Sequence, residues 1–140
     1  MADTLKQRPG PMRLIDATQY RLPLAAKLSI LHRASGIVMF LLLPLIIWMF
    51  DTSVSSEVSY GTFTAAFTAG IGFLPGWFMK LVVLGLIWSY LHHFCAGVRH
   101  LWMDATHSVT KEQGQSSAVV SFAISLLLTV ALGAKLFGLF

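Results

Sequence analysis

Three stretches of the chain carry no formal charge and are rich in Leu, Ile, Val, Phe, Ala and Ser. They cover residues 34–50, 81–98 and 113–134, which is 17, 18 and 22 positions. An α-helix needs about 20 predominantly apolar residues to cross the hydrocarbon core of a bilayer. Backbone groups in that core have no water to bond, so runs of this length are predicted as helices. The first two runs are slightly short, which predicts that their helices continue into flanking polar residues, over 28–33 for the first and 99–102 for the second. The expected architecture is an all-α membrane protein with three transmembrane helices, over about 28–50, 77–103 and 114–138. An N-terminal segment, 1–27, precedes them.

A fourth uncharged stretch, 58–79, reads differently. It holds Gly61, Gly70, Gly72, Pro75 and Gly76, which are poor residues for a continuous helix. If it spanned the membrane, Met79 and Lys80 would be its whole connection to the next span, too short for a reversal. It is expected to be an outer-face segment leading into the second span. Pro44, inside the first span, is expected to bend that helix.

Composition makes the membrane reading hard to avoid. Of 140 residues, 56% are hydrophobic and only 11% are charged, where a soluble domain carries about 25%. Disordered chains are polar and charged, so disorder is excluded as well. A single cysteine excludes a disulfide framework and any cysteine-cluster metal site within the chain.

The net charge of +4 is a topology signal. Lys6, Arg8, Arg13, Arg21, Lys27 and Arg33 precede or open the first span, residues 51–79 contain no Lys or Arg, and Arg99 and Lys111 flank the second loop. The positive-inside rule then puts the N-terminus and the second loop in the cytoplasm, and the first loop and the C-terminus on the periplasmic side. No nucleic-acid surface is implied. The polar first 30 or so residues lack the pattern of a secretory signal peptide.

Ionisable residues inside a span are costly and point to function. The second span holds His92, His93, Arg99, His100 and Asp104 in the half expected to be cytoplasmic. On a helical wheel, His93, Gly97, His100 and Asp104 fall within about 60° of one another. They form one stripe, and His92 points elsewhere. Gly97 leaves room beside His93 of the kind that a flat macrocycle needs. A second polar face opens the first span, where Ser29, His32, Arg33 and Gly36 sit at i, i+3, i+4 and i+7. An ordinary helix cap followed by a snorkelling arginine would look the same. His32 is expected at the edge of its span and His93 roughly 15 Å deeper. On that expectation the two cannot grip one iron, His93 and His100 share a face and cannot do so either, and a haem held by His93 takes its other axial ligand from another chain. His32 and Arg33 are suited to neutralising haem propionates near the interface. In the third span, Ser117, Ser121, Ser125, Thr129 and Gly133 recur every four residues, a small-residue ladder that lets helices approach closely in lipid. Cys95 is expected to be a small buried apolar residue.

Two of these patterns resemble a known family. Ser29, His32, Arg33, Ser35 and Gly36 reproduce the S-x-x-H-R-x-[ST]-G signature of the cytochrome b subunit of succinate dehydrogenase, and Arg8 with Pro9 resembles the R-P upstream. His93, Gly97, Arg99, His100 and Asp104 match its second signature, H-x3-G-x-R-H-x3-D. The resemblance covers essentially the whole chain. It implies haem b as cofactor, shared with a second hydrophobic anchor subunit that supplies the other ligand. It makes His93 the axial ligand to the haem iron and places His32 beside the propionates. Ser29 and Arg33 then line a ubiquinone pocket, with Ser29 bonding a quinone carbonyl and Arg33 stabilising negative charge on the quinone. His100 and Asp104 match the motif with their roles open between proton supply and haem-pocket structure. Lys27 and the run Pro9, Gly10, Pro11 are local departures that leave the signature positions intact.

The implied partners are a flavoprotein subunit, an iron–sulfur subunit, ubiquinone and membrane lipid. The chain has neither the cysteines nor a flavin motif for the earlier steps, so its implied part is to anchor the complex in a bacterial inner membrane and help build the quinone site. Its start resembles a bacterial protein more than a mitochondrial precursor. Two other readings stay open. One is a haem-free anchor or proton-relay subunit of another complex that uses intramembrane histidines. The other is the anchor of a quinol:fumarate reductase running in the opposite direction.

Overall fold

A computed structural model describes residue 10, residues 13–107 and residues 110–140. Arg8 and Pro9 lie outside the described residues. The described chain is all-helical, with α1 (Leu14–Gln19), α2 (Leu24–Leu41), α3 (Leu43–Val54), α4 (Glu57–Thr68), α5 (Gly76–Thr106) and α6 (Lys111–Leu136). Three of these, α2, α5 and α6, are long and apolar enough to cross a membrane.

The first apolar run is two helices rather than one bent helix. Leu42 stands between α2 and α3 with φ −93° and ψ 8°, and Pro44 sits in the first turn of α3. A proline has no N–H to give to the preceding turn, and its ring crowds the carbonyl four residues back, so the α2 ladder stops there. At the other end, α2 begins at Leu24, a full turn before the expected start, because Pro23 caps it and Lys27 can lie within its first turn.

The glycine-rich stretch divides in the same way. Its first part is helical, because Ser56 and Ser59 form a reciprocal cap in which the Ser56 hydroxyl accepts from the Ser59 N–H at 3.1 Å. The 12 residues of α4 rise about 18 Å, short of a bilayer core. The chain then reverses through a tight turn closed by Ile71 and Leu74. Gly70 has φ +96° there, a conformation that side chains resist. Pro75 follows as the cap of α5.

α5 is the centre of the bundle. It packs along α6 on one side and α2 on another, and α2 touches α6 behind it. A small core forms where the three meet, made of Leu28, Ala96 and Ala118, with Leu24, Ala25 and Phe122 against it. The ladder on α6 closes the α5–α6 seam. Ser121, Ser125, Thr129 and Gly133 are buried. A Cβ at Gly133 would stand 2.8 Å from Leu84 Cδ1, so only a glycine fits this contact without a shift. The hydroxyls of Ser121 and Thr129 donate to carbonyls one turn back, at 3.0 and 2.7 Å, which satisfies them without water. The Ser117 hydroxyl likewise donates to the Gly114 carbonyl, at 3.3 Å, and also accepts from a side chain on α5. Most other large apolar side chains are exposed, Phe40, Leu101, Leu127 and Val130 among them. Such a surface suits lipid and partner helices, not water.

Candidate functional site

The two signature faces meet where α2 crosses α5. His93 on α5 points its ring at α2 and seats it over Gly36, where an added Cβ would lie 3.0 Å from His93 Cε1 and 3.4 Å from Nδ1. His93 Nδ1 stands 3.0 Å from the backbone carbonyl oxygen of His32 and 3.2 Å from the Ser35 hydroxyl oxygen. The Ser35 hydroxyl donates to that same His32 carbonyl at 2.8 Å. A carbonyl oxygen can only accept, so Nδ1 must carry the proton and donate. The tautomer is thereby fixed, and Nε2 keeps a free lone pair. No described residue bonds Nε2.

That arrangement fits an axial ligand. A metal-binding imidazole almost always gives its other N–H to a carbonyl or carboxylate, which orients the ring and makes the ligating nitrogen more basic. Here the orienting group is a backbone atom of α2, held in place by the helix itself.

The ring of His32 stacks on that of His93, with centroids 4.1 Å apart and planes 29° from parallel. On its other side it lies 5.4 Å from the ring of His100. This overturns the expected depth difference between His32 and His93. α2 starts eight residues before His32, so His32 lies about 12 Å inside its helix, and the ring stacking sets it level with His93. The two still cannot grip one iron from opposite sides, now because their faces are stacked and their nitrogens do not point at each other across a gap. The room beside Gly97 has a neighbour on α2. His32 Nε2 comes to 3.8 Å of where a Gly97 Cβ would be, an ordinary contact distance, so the His32 ring borders this space.

The remaining candidates sit around this cluster. Ser29 is half-buried and Arg33 exposed, one turn apart on α2, and neither forms a hydrogen bond or ion pair with described residues. Asp104 is exposed one turn beyond His100. His92 is fully buried on another face of α5, between Trp88 at 5.2 Å and Phe122 at 5.3 Å. Neither of its ring nitrogens has a hydrogen-bond partner, although the Leu28 backbone lies alongside. It behaves as an aromatic core residue. Among the described residues no group of three His, Cys, Asp or Glu side chains could hold a metal ion.

Sequence reasoning missed two residues. Ser35 reads only as the hydroxyl position of a motif, yet it is buried and touches His93. Arg99 reads as a flanking charge, yet it is 7% exposed. Its Nε donates to Ser117 Oγ and its Nη2 to the Gly114 carbonyl, both at 2.9 Å, which clamps α5 to the start of α6. The signal that could have found it is its place on α5, about 120° from the His93 stripe and so facing a neighbouring helix.

Residues 5–132 match the family described as the succinate dehydrogenase/fumarate reductase transmembrane subunit. The chain is 33% identical over 119 residues to the succinate dehydrogenase cytochrome b556 subunit of Coxiella burnetii, covering 85% of this chain and 90% of that one. It is 32% identical over 111 residues to the subunit of the same name from Paracoccus denitrificans, covering 79% and 80%. The Rickettsia felis subunit is 24% identical over 113 residues, covering 81% and 82%.

Proposed function

Because the chain belongs to the succinate dehydrogenase/fumarate reductase transmembrane subunit family, we propose that it is the haem b-carrying membrane anchor of a succinate:quinone oxidoreductase and forms part of its ubiquinone site. The carrying observation is the His93 ring, whose Nδ1 gives its proton to the His32 carbonyl at 3.0 Å and whose Nε2 keeps its lone pair. In this reading His93 would ligate the haem iron, His32 and His100 would lie beside its carboxylates, and a second anchor subunit would supply the other ligand. Haem b, when bound, supplies a one-electron centre beside the quinone site.

The α2 face does the quinone work. The Ser29 hydroxyl has no partner within the described chain, so it can donate to a quinone carbonyl. Arg33, one turn on, holds a fixed positive charge against the negative charge that reduction puts on the quinone oxygens. Asp104 and His100 lie in line with the cluster on α5 and are suited to handing protons from the aqueous edge to it. The N-terminus and the loop between α5 and α6 then face the cytoplasm, where flavoprotein and iron–sulfur subunits dock, and the C-terminus faces the periplasm of a bacterial inner membrane. The family description spans succinate oxidation and fumarate reduction, so the direction is set by the partners and the quinone.

Paired assays on the assembled complex test this reading. Ser29→Ala and Arg33→Leu are expected to lower succinate:quinone activity while succinate oxidation by an artificial dye stays near wild type. The Arg33 loss should be the larger, because a charge-assisted bond is worth about 1.5–3 kcal/mol against about 0.5–1.5 for a neutral one. Unchanged quinone activity in assembled Arg33→Leu would overturn the proposed quinone site.

A further inference from the structure

The face of α5 turned away from the His93 stripe is not accounted for by the haem and quinone readings. Val98, Arg99 and Trp102 lie between about 140° and 240° around α5 from His93. Together with α6 they wall a groove of about 640 Å³, a volume within the range of small-ligand sites. Its charged and most of its polar side chains lie at one end, beside Trp102 and Met103. Arg99, Gln113, Ser116 and Ser117 lie toward the loop that joins α5 to α6, and Phe94 and Ile124 lie toward the membrane interior.

Arg99 gives the groove its charge. Both of its hydrogen bonds go to neutral groups, Ser117 Oγ and the Gly114 carbonyl. A guanidinium has five N–H donors, so three remain. No described carboxylate pairs with it. Asp104 lies on the His93 stripe, and Glu112 is exposed at the start of α6. A buried cation in a membrane span without a counter-charge is expensive and calls for one from outside the chain.

We propose that this groove binds an anionic phospholipid of the bilayer, with its phosphate on the free N–H groups of Arg99 and an acyl chain laid along Phe94, Val98, Val120 and Ile124. The occupant follows from charge complementarity together with the polarity gradient. An anion is needed at the loop end, and about 12 Å of exposed apolar wall follows it along α5 from Trp102 to Phe94. Trp102, exposed at that end, marks the headgroup level. This inference does not depend on the haem or quinone assignments.

The test uses the purified complex in nanodiscs of phosphatidylethanolamine alone or of an equal mixture with phosphatidylglycerol, with retained lipid counted by native mass spectrometry. The wild-type complex is expected to retain phosphatidylglycerol over phosphatidylethanolamine by at least about tenfold, the scale of a charge-assisted hydrogen bond. Arg99→Gln should abolish the preference. Since Arg99 also clamps α5 to α6, Ser116→Phe serves as a second variant. It fills the groove, leaves the Arg99 bonds intact, and should lose the bound lipid. Equal retention of the two lipids by the wild type, a preference that survives in assembled Arg99→Gln, or undiminished phosphatidylglycerol on Ser116→Phe would each overturn the proposal. So would a photocrosslinker at Val120 that captures a polypeptide, because a partner helix would then be the occupant.

Discussion

Gly36→Ala puts the seating of His93 to a direct test. The new Cβ would stand 3.0 Å from His93 Cε1 and 3.4 Å from Nδ1, where carbon atoms prefer about 3.5–4.0 Å. The ring must therefore retreat from α2 by about 0.5 Å or more. Its Nδ1 bond to the His32 carbonyl starts at 3.0 Å, so that retreat takes it out to about 3.5 Å, the edge of any useful hydrogen bond. Losing the bond costs about 0.5–1.5 kcal/mol, and overpacking adds about 1–3 kcal/mol. Orienting contacts to metal-bound imidazoles are commonly worth 10–100-fold in metal affinity, so haem affinity is expected to fall by about tenfold.

The assay is haem content per complex, with the reduced-minus-oxidised spectrum recorded during stepwise dilution in detergent. Gly85→Ala is the matched control, because its Cβ meets nothing within 4 Å on the same bundle; it should keep full haem. A Gly36→Ala complex that melts earlier but keeps wild-type haem affinity and spectrum would mean that α2 moved back as a body. The inference from the Gly36 notch to the ligand would then be refuted.

Other substitutions separate the remaining roles. His93→Ala should lose haem, whereas His92→Phe should keep it and leave the melting temperature equal or higher, since it removes two buried nitrogens without partners, a defect worth about 1–3 kcal/mol. Ser35→Ala removes the hydroxyl that shares the His32 carbonyl with His93; the freed carbonyl should accept more strongly from Nδ1, and a redox titration should find the haem potential lowered. Gly133→Val should weaken the α5–α6 seam by about 1–3 kcal/mol, read as a lower melting temperature with normal haem at early times. A reporter fused after Phe140 should be periplasmic and one at Thr110 cytoplasmic; a cytoplasmic C-terminus would refute the charge-based orientation.

How far the site could be read from sequence depended on the kind of fact. Which residues share a face of one helix follows from period alone, so the grouping of His93 with His100, the exclusion of His92 and the close-packing ladder on α6 were all legible. Relations between helices were not. The depth of His32 is misjudged because the expected span starts at residue 28, just after the charge of Lys27. The helix begins four residues earlier, at Leu24 after Pro23. A helix can hold a lysine in its first turn while the lysine's head stays in water, so absence of charge marks the apolar core of a span and not its ends. The break at Leu42 was legible only as a bend, since a proline in a membrane helix can kink it or stop it, and neighbouring contacts decide which.

The correction to the depth of His32 also changes what Gly97 and Gly36 are for. Read along one helix, Gly97 looks like room for a cofactor. Across the two helices, the close approach is at Gly36 on α2, where a Cβ would crowd the ring of His93, whereas one at Gly97 on α5 would meet His32 Nε2 at an ordinary 3.8 Å. The stacked pair at 4.1 Å lies at the crossing where α2 gives up a side chain to seat the His93 imidazole. The same crossing brings the His32 carbonyl to His93 Nδ1, so α2 sets the tautomer of the proposed ligand on α5 while presenting Ser29 and Arg33 from the same turns. A shift of α2 along its axis would therefore disturb the orientation of His93 and the placement of Ser29 and Arg33 together. The haem and quinone roles proposed for this chain would thus be mechanically coupled through α2.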